Sequence, residues 1–402
     1  MIDRAVVVGA GPVGIAMALA LGRCGVNVRV LEKRSRLECT RTEPGGARTV
    51  SLSISPRGMR ALDAVSVGAE VRARAVQMDS RVLHFPDGTL DEKDYGAPER
   101  VNYAIERGAL AAIMIEEAAA LETVQLSFET RCVGVDVERG HLQTDRDTWC
   151  ADLVVGADGT RSAVRDALVR QPGFSFGQEF FPAGYIELPL VDTGLNRRAI
   201  HIWRGHRPVV GLPARDGGIR GTLVLPLHGD ESFEAVASPD ALLTLLRSIH
   251  PELPVDVRAL RRTFDAQRFG RLVTIRCDPY TMGNTMLVGD AAHAMCPFMG
   301  QGVNVGLEDV EVFARLFAAS RSLPACLDAY DRLRGPEGRA AAELSLWNYT
   351  ELGGVRAAQP SAPLPPNAPP IVLVNFFPVS YQSVLQAARQ AETPRSHAHV
   401  SP

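Results

Sequence analysis

The hydrophobic pattern at the N-terminus alternates between short apolar runs and one longer apolar segment. The run AVVV at 5–8 predicts a buried strand, and GAGPVG after it predicts a turn. IAMALALGRC then predicts a helix, and NVRVLE predicts a second strand. Gly25 lies between them, where helices commonly end on glycine. This order of elements is typical of a β-α-β unit with parallel strands.

The middle of the chain shows two kinds of pattern. A helix is predicted for ERGALAAIMIEEAAAL at 106–121, and ADLVVGADGTRSAVRDAL at 151–168 repeats the order of strand, turn and helix. From about residue 178 to 262, short apolar runs are separated by turn residues, which predicts an antiparallel sheet. Ser238-Pro239 marks the start of one helix, DALLTLLRSI, inside that region.

The last part of the chain returns to strand, loop and helix. TMLVGD predicts a strand, and a helix is predicted from about Gly302. A further helix is predicted from about Pro336 to Leu352. SAPLPPNAPP at 361–370 is too rich in proline for a helix or a strand and predicts a stiff connector. The tail NFFPVSYQSVLQAARQ predicts one last helix.

Composition argues against several classes of protein. Hydrophobic residues make up 46% of the 402 residues and charged residues 22%, which is ordinary for a globular protein. The net charge of -3 provides no basic surface, so no nucleic-acid partner is expected. No apolar stretch reaches the roughly 18 residues that indicate a transmembrane helix, so no transmembrane segment is expected. The seven cysteines form no Cys-x-x-Cys pair and no signal peptide is recognised, so we expect reduced thiols in a cytoplasmic protein.

The first chemical motif is Gly9-x-Gly11-x-x-Gly14, which follows the first predicted strand and begins the first helix. In this pattern the glycines allow a tight turn, a close approach of the backbone to a pyrophosphate, and close packing of helix on strand. The helix N-terminus adds free N–H groups and a positive partial charge. Glu32 ends the second strand, where a carboxylate can accept hydrogen bonds from ribose hydroxyls. The alternative is a glycine turn that is only structural, and the motif does not distinguish FAD from NAD.

The second motif lies in the segment DLVVGADGTRSAVR. Asp158 ends a predicted strand, and Ser162 and Arg165 follow on the next helix, one turn apart. Polar side chains in these positions are difficult to assign to a core, which favours a binding role for Asp158. The alternative is a local turn in which the aspartate only marks the start of the helix.

The third motif is the stretch GDAAHAMCPFMGQGVNVGLED, where glycines and a proline directly precede an apolar helix. Asp290 can hydrogen-bond a ribityl hydroxyl, and Gly300 and Gly302 allow backbone N–H groups to face a flat ring. The positive end of the helix would then stabilise negative charge on a reduced flavin. His293 has two interpretations, a catalytic base or a histidine packed in the loop. A metal site at His293 and Cys296 would lack further ligands nearby.

These three motifs, in this order and with a strand-rich insert between the last two, resemble one family. The chain looks like the class A flavoprotein monooxygenases of the aromatic-hydroxylase fold. The resemblance implies an α/β fold with a Rossmann-like FAD-binding domain of the glutathione-reductase type. It also implies a discontinuous, antiparallel β-sheet substrate domain and C-terminal helices, with FAD as the bound cofactor and NAD(P)H and O2 as co-substrates.

Further stretches, among them RTVSLSISPRGMRAL and RLRGPEGRAAAELSLWNYTEL, are similar to the members of this family that hydroxylate L-kynurenine at the 3-position. By that resemblance, Arg81 binds the carboxylate of an aromatic amino-acid substrate with help from Tyr95. Asn348 and Glu351 match a polar pair on a late helix, and their spacing places them on one helix face. Without the resemblance, a surface arginine and a solvated helix face would be the simpler interpretation.

The same resemblance assigns the remaining site residues. Arg107 matches an arginine near the flavin, and Pro297 and Phe298 match the loop beside the reacting ring. No metal-binding residue is expected. The expected catalytic residues are Pro297, Phe298, Gly300 and Gln301; the expected substrate-binding residues are Arg81, Tyr95, Asn348 and Glu351; and the expected cofactor-binding residues are Gly9, Gly11, Gly14, Glu32, Arg107, Asp158, Asp290, Gly302, Val303 and Asn304.

The predicted domains are discontinuous in sequence. The FAD-binding domain is assigned to 1–72, 100–177 and 265–335, the substrate domain to 73–99 and 178–264, and a helical segment with the proline-rich connector to 336–402. The expected activity is hydroxylation of an aromatic amine ring, that of L-kynurenine or a ring-substituted kynurenine. A homodimer is a possible assembly.

Two alternative functions remain open. The first keeps the fold but acts on another aromatic or phenolic substrate; a flavin halogenase would carry a Trp-x-Trp-x-Ile-Pro segment, which this sequence lacks. The second is a flavin-binding protein without enzymatic activity. The presence of all three cofactor motifs argues against the second alternative.

Overall fold

The computed structural model describes residues 2–41, 51–137, 139–191, 194–266, 270–320, 322–352 and 370–392. The strands, in chain order, are β1 Arg4–Val8, β2 Asn27–Leu31, β3 Ser51–Ile54, β4 Val76–Met78, β5 Ser80–His84, β6 Leu90–Asp94, β7 Asn102–Glu106, β8 Val124–Ser127, β9 Cys132–Asp136, β10 His141–Thr144, β11 Thr148–Cys150, β12 Leu153–Gly156, β13 Ser175–Leu190, β14 Ala199–Trp203, β15 Val209–Pro213, β16 Ile219–Pro226, β17 Gly270–Asp278, β18 Thr281–Met282 and β19 Thr285–Leu287. The helices are α1 Pro12–Arg23, α2 Arg36–Thr40, α3 Pro56–Ala64, α4 Gly68–Arg74, α5 Arg107–Ala120, α6 Ala163–Leu168, α7 Pro239–Ile249, α8 Val257–Thr263, α9 Asp290–His293, α10 Gly302–Ala319, α11 Leu323–Leu352, α12 Pro370–Phe376 and α13 Tyr381–Glu392.

A six-stranded sheet with the order β18-β19-β12-β1-β2-β8 lies at the centre of the largest hydrophobic core. Its strands are parallel except for the β18–β19 hairpin. In β1, Ala5 pairs with Val28 of β2 on one side and with Leu153 of β12 on the other. The four apolar residues of β1 are all buried, because a parallel sheet of this kind is covered by helices on both faces. The β-α-β unit predicted from the sequence is confirmed.

A seven-stranded sheet with the order β17-β13-β16-β15-β14-β5-β6 contains the strand-rich insert. The strands between residues 178 and 262 pair antiparallel with one another, as predicted, and β14 also pairs in parallel with β5 from outside that region, with Ile200 beside Arg81. β5 enters the sheet from a much earlier part of the chain, and parallel neighbours require such a long connection. Residues of α7 and α8 complete the core on one face of this sheet, around the buried Leu188 and Trp203.

Two three-stranded sheets complete the strand structure of the described residues, with the orders β11-β10-β9 and β3-β7-β4. The first forms an antiparallel meander whose strand β9 packs near α6. The second is antiparallel and connects the two larger sheets, because β4 continues almost directly into β5 and β7 continues into α5.

Helix α11 differs from the sequence prediction. It begins at Leu323 rather than near Pro336, so that Pro336 lies inside a helix of 30 residues. Proline removes one backbone hydrogen bond and commonly ends or kinks a helix, but here the residues on both sides of it are held in the core, through the buried Tyr330 and Leu344. The proposed domain boundary between residues 335 and 336 falls inside this helix, and the division into domains remains a prediction.

The tail also differs from the prediction, because it forms two helices instead of one. α12 ends at Phe376 and α13 begins at Tyr381, with Pro378 between them. Proline lacks the N–H that would continue the hydrogen bonds of α12. Of the connector predicted at 361–370, all but the last residue falls outside the described residues. No helix in the described ranges is both long and apolar enough to cross a bilayer.

Candidate active site

The carboxyl ends of four parallel strands bring predicted cofactor residues to one edge of the six-stranded sheet. Gly9 follows β1, Glu32 follows β2, Asp158 lies just beyond β12, and Asp290 lies just beyond β19. Ligands of open α/β sheets bind outside this edge. Residues from three separate parts of the sequence therefore surround one candidate site.

The turn after β1 has room only for glycine at two positions. Gly9 has a φ of +106°, and a Cβ there would lie 2.4 Å from the carbonyl oxygen of Ala157. At Gly14 a Cβ would lie 2.0 Å from the carbonyl oxygen of Gly9, because α1 packs directly on the turn. A Cβ at Gly11 would meet no atom within 4 Å, so open space remains at the N-terminus of α1. This terminus has no side-chain cap and no acidic residue in its first turn, which leaves its N–H groups for an anion such as a phosphate.

Glu32 is buried at the end of β2 and accepts four hydrogen bonds. One comes from the backbone N–H of Ala10 at 2.9 Å, and three come from the backbone N–H and the guanidinium of Arg34 at 2.9–3.0 Å. Burial would raise the pKa of Glu32, but the hydrogen bonds and the charge of Arg34 outweigh burial and lower it. Since a carboxylate has about four acceptor positions, Glu32 can accept from a ribose hydroxyl only where Arg34 gives up one of these bonds.

Asp158 uses one carboxylate oxygen and leaves the other without a partner. Its Oδ2 accepts from the backbone N–H of Ala163 at 2.7 Å, whereas its Oδ1 is buried with no hydrogen-bond partner among the described residues. Burial raises the pKa of Asp158. Arg165, on the next helix, is buried and donates to the carbonyl oxygens of Ala291 and Thr160. Both interpretations of this motif therefore apply: one oxygen of Asp158 stabilises the helix start, and the other is available to a ligand.

Asp290 lies near the N-terminal end of α10. Gly289 before it has a φ of +58°, and Asp290 itself is exposed. A Cβ at Gly302 would lie 4.0 Å from Oδ1 of Asp290, and Val303 is half-buried in the same first turn. Helix α10 has no side-chain cap and no acidic residue in its first turn. The N–H groups of this turn and the Asp290 carboxylate thus flank the same space.

The loop before α10 is held by the side chain of Asn304. Its amide nitrogen donates to the carbonyl oxygens of Gly300 at 2.9 Å and Ser53 at 3.0 Å, and its amide oxygen accepts from the backbone N–H of Ser55 at 2.9 Å. Gly300 has a φ of +64°, a left-handed conformation that favours glycine. Asn304 therefore fixes the loop with its side chain, and only its backbone N–H is left for a cofactor.

Gln301 connects this loop to the C-terminal helices. Its Nε2 donates to Oδ1 of Asn375 at 2.9 Å, and its Oε1 accepts from the hydroxyl of Tyr381 at 2.8 Å. The side chain is buried. Because both ends of the amide bind protein groups, we interpret Gln301 as a positioning residue rather than one that contacts reacting atoms.

Phe298 and Asn348 lie together beside the exposed Pro297. Nδ2 of Asn348 donates to the carbonyl oxygen of Phe298 at 2.7 Å. The ring centroid of Phe298 is 4.4 Å from that of Tyr349 and 5.4 Å from that of Phe181 on β13. The sequence did not identify these two aromatic residues, because a phenylalanine in a strand and a tyrosine in a helix are typical core residues.

Arg81 and Tyr95 form a second group of neighbours. Arg81 is half-buried on β5 and has no acidic partner among the described residues. Burial raises the pKa of Tyr95 to about 12, although the nearby charge of Arg81 acts in the opposite direction. The ring centroids of Tyr95 and Phe376 are 4.4 Å apart, and Phe376 follows the Asn375 that binds Gln301. Helix α12 therefore contacts both this pair and the loop before α10.

Two other predicted residues have a less defined environment. Arg107 is the first residue of α5, is half-buried, and has no ion-pair partner among the residues that the structure describes. Glu351 belongs to the last turn of α11, but its side chain lies outside the described part.

A buried chain of charged residues next to the site was missed in the sequence. His293 Nε2 lies 2.6 Å from Asp309 Oδ2, and Asp309 Oδ1 accepts from Arg334 Nε at 2.8 Å. Arg334 also binds Glu308 at 2.9 Å, and Glu308 binds Arg57 at 2.9 Å. Burial would raise the pKa of Asp309, but His293 and Arg334 outweigh burial and lower it. The two adjacent acids in the apolar segment GLEDVEVF were the only available signal.

This chain of charges favours one of the two interpretations of His293. Its Nε2 is occupied by Asp309, and the ring is buried. The same Asp309 oxygen accepts from the backbone N–H of Gly289 at 2.9 Å. His293 therefore helps to hold the turn that carries Asp290, and we interpret it as a packed histidine rather than a catalytic base.

The edge of the six-stranded sheet fits the chemistry of FAD. The uncapped N-termini at Gly11 and Gly302 supply N–H donors for a pyrophosphate and for the electron-rich edge of a flavin. Asp158 Oδ1 is a buried acceptor without a partner among the described residues, and Asp290 is an exposed acceptor. Both are acceptors of the kind that hydroxyl groups of the cofactor require.

Comparison with known proteins supports FAD as the cofactor. Residues 3–345 match the family described as FAD binding domain. The chain is 35% identical over 364 residues to Kynurenine 3-monooxygenase of Salinispora tropica, covering 87% of this chain and 80% of that protein. It is 34% identical to Kynurenine 3-monooxygenase of Myxococcus xanthus, covering 87% of this chain and 78% of that protein.

A solved structure with the same fold is the tetrameric form of 2-methyl-3-hydroxypyridine-5-carboxylic acid oxygenase, with a TM-score of 0.73 and 22% identity over 90% of this chain and 95% of that chain. The α/β fold class and the FAD cofactor expected from the sequence are confirmed. The chain belongs to the FAD-binding family of flavoprotein aromatic monooxygenases.

Proposed function

We propose that the protein uses FAD, NAD(P)H and O2 to hydroxylate L-kynurenine, or a ring-substituted kynurenine, at the 3-position. The observation that supports this proposal most strongly concerns Arg81. Its guanidinium is half-buried beside Tyr95 and has no acidic partner among the described residues. Such a group is suited to bind the carboxylate of an amino acid through paired hydrogen bonds. The two relatives described above are named for this substrate.

The contribution of the protein to this reaction is positioning and exclusion of water. Arg81 would hold the carboxylate end of the substrate, and the rings of Phe298, Phe181 and Tyr349 offer an aromatic surface for its other end. Bound FAD would supply the redox chemistry, by accepting a hydride from NAD(P)H and activating O2. The aniline amino group of kynurenine activates the ring carbon next to it, so the protein needs no strong base. The engagement of His293 by Asp309 is consistent with this.

The N-terminus of α10 contributes electrostatically. It has no acidic residue in its first turn to oppose negative charge, and it lies beside Asp290. A helix N-terminus stabilises nearby negative charge by about 0.3–2 kcal/mol. The N–H groups near Gly302 and Val303 would therefore stabilise the charge that a flavin carries after reduction.

NAD(P)H oxidation in the presence of different aromatic compounds tests the proposal. We expect L-kynurenine to stimulate oxidation and to give 3-hydroxykynurenine in proportion to the cofactor consumed. Ring-methylated kynurenines test whether a substituted ring is preferred. A clear preference for phenols over anilines would contradict the proposed substrate and favour the phenolic alternative. The comparison of NADH with NADPH in the same assay identifies the reductant.

Replacement of Arg81 tests the carboxylate site. Arg81→Ala should lower kcat/KM for L-kynurenine by about 10- to 100-fold, because a hydrogen-bonded charge pair is lost. FAD should remain bound, since Arg81 lies on the seven-stranded sheet and not at the edge that fits the cofactor. Arg258→Ala, which removes an exposed arginine of α8, serves as the control. Unchanged turnover in Arg81→Ala would remove Arg81 from the site.

The cytoplasmic location and the homodimer remain predictions. Light scattering of the purified holoprotein would measure its oligomeric state directly.

A further inference from the structure

We propose that Asn102 is an additional substrate-binding residue, whose side-chain carbonyl accepts a hydrogen bond from the α-ammonium group of the amino acid held by Arg81. The inference rests on the proposed function, because it concerns the head group of the same substrate. Nothing in the motifs of the sequence pointed to this residue.

Asn102 is the first residue of β7, in the small sheet between the two large ones. Its backbone pairs with Met78 of β4, directly before the strand that carries Arg81. Its side chain is 2% exposed. An asparagine is rarely this deeply buried unless its polar atoms are hydrogen-bonded.

One end of the Asn102 amide is a buried acceptor without a partner. The Asn102 side chain lies close enough to the Tyr95 hydroxyl to lower its pKa, whereas Oδ1 of Asn102 has no partner among the described residues. Since the amide favours the ionised hydroxyl, its nitrogen, the donor end, faces Tyr95. A buried acceptor without a partner is unfavourable, and a bound ligand that donates a hydrogen bond removes this cost.

The neighbours of Asn102 show which ligand group fits. The backbone N–H of Tyr95 binds the carbonyl oxygen of Asp79, two residues before Arg81, and the charge of Arg81 acts on the Tyr95 hydroxyl. Tyr95 therefore has both a cation and a residue with an unpaired carbonyl as neighbours. An α-amino acid carries a carboxylate and an ammonium group a few bonds apart. Arg81 can bind only the carboxylate, and the ammonium group requires an acceptor such as Oδ1 of Asn102.

A second acceptor near Tyr95 differs in charge and exposure. The carboxylate of Asp79 is 35% exposed and uses Oδ2 to bind the guanidinium of Arg198, with Nε at 2.7 Å. Its backbone carbonyl accepts from the N–H of Tyr95 at 2.9 Å. Asn102 is the buried acceptor of the two, and as a neutral group it does not compete for Arg81 as a carboxylate would.

A comparison of two substrates separates this role from a structural one. L-kynurenine carries the α-ammonium group, and 4-(2-aminophenyl)-4-oxobutanoate is the same molecule without it. We expect the wild-type holoenzyme to prefer L-kynurenine. Asn102→Leu, which keeps the volume but removes the carbonyl, should lower kcat/KM for L-kynurenine by about tenfold or more and leave that for the analogue nearly unchanged.

Further variants control for loss of folding. Asn102→Gln keeps a neutral side-chain carbonyl and should retain the preference for L-kynurenine even if Asn102→Leu loses FAD. Asn284→Leu, an exposed asparagine in the β18–β19 turn, should behave as wild type. If Asn102→Leu loses activity equally with both compounds, or if wild type turns over both compounds without preference, the assignment of Asn102 is wrong. If wild type turns over neither compound, the proposed function itself fails, and this assignment with it.

Discussion

Gly11 and Gly14 are glycines for different reasons, although both belong to one motif. A Cβ at Gly14 would lie 2.0 Å from the carbonyl oxygen of Gly9, so the protein itself excludes a side chain. A Cβ at Gly11 would meet no protein atom within 4 Å, and the φ of Gly11, -74°, suits any residue. We therefore propose that glycine is needed at Gly11 because a ligand approaches the backbone from the open side.

This difference gives a prediction for single-residue replacements. Gly14→Ala should destabilise the protein by about 1–3 kcal/mol, because α1 must move away from the turn, and should also weaken FAD binding. Gly11→Ala should leave the free energy of unfolding of the FAD-free protein nearly unchanged and weaken FAD binding alone. Urea unfolding and the ratio of flavin to protein absorbance measure the two effects. Wild-type FAD affinity in Gly11→Ala would show that no pyrophosphate passes this residue.

The hydrogen-bond partners of the predicted polar residues could be predicted from the sequence only in part. The motifs identified Glu32, Gln301 and Asn304 as polar residues near a ligand, but not the protein groups that bind them. Glu32 binds Arg34, and because the two residues are only two positions apart, this bond could have been predicted from the sequence. The partners of Gln301 lie 74 and 80 positions away, and only the folded chain brings them together.

One side chain of α3 contacts both C-terminal helices. Arg57 on α3 donates through Nε to the carbonyl oxygen of Val374 at 2.7 Å, and through Nη2 to that of Phe377 at 3.0 Å and to that of Val379. Its guanidinium also lies 4.8 Å from the ring centroid of Tyr381. These contacts cover the end of α12, the break at Pro378 and the start of α13.

Arg57→Met should therefore loosen the segment 370–392 while the rest of the fold persists. The change also leaves Glu308 with Arg334 as its remaining partner, and breaking a buried ion pair costs about 3–5 kcal/mol. Hydrogen exchange should be faster in α12 and α13 than in wild type. Arg60→Met is the matched control, since Arg60 lies on the same helix with a half-exposed side chain. Equal protection of this segment in both variants would contradict the role of Arg57.

Proline explains the two errors made for whole elements. Pro336 looked like the first residue of a helix, a position that proline favours, yet α11 continues through it from Leu323. The tail was predicted as a single helix that includes Pro378, yet this proline separates α12 from α13. A proline alone does not indicate whether the packing on both sides will hold a helix together. The strands and the glycine turns were predicted more securely, because burial and backbone geometry restrict their sequences directly.

At the scale of the whole molecule, α12 joins the two ends of the candidate site. Phe376 packs on Tyr95, which lies beside Arg81, and Asn375 binds Gln301 in the loop before α10. The cofactor end of the site could be predicted from its motifs, because phosphate binding needs glycines at fixed spacing. The substrate-binding residues were predicted from the family resemblance, since a single arginine in a strand does not by itself indicate a binding site. The role of Asn102 could not be predicted from the sequence, because it follows from a buried acceptor without a partner, which only the folded structure shows.

We propose that the protein holds FAD at the edge of the six-stranded sheet and uses it to place one oxygen atom of O2 on the ring of kynurenine. The most direct test is to incubate the FAD-loaded protein with NAD(P)H, L-kynurenine and 18O2, and to analyse the product by mass spectrometry. We expect 3-hydroxykynurenine that contains one 18O atom. Consumption of NAD(P)H with no labelled product from L-kynurenine or its ring-methylated forms would contradict it.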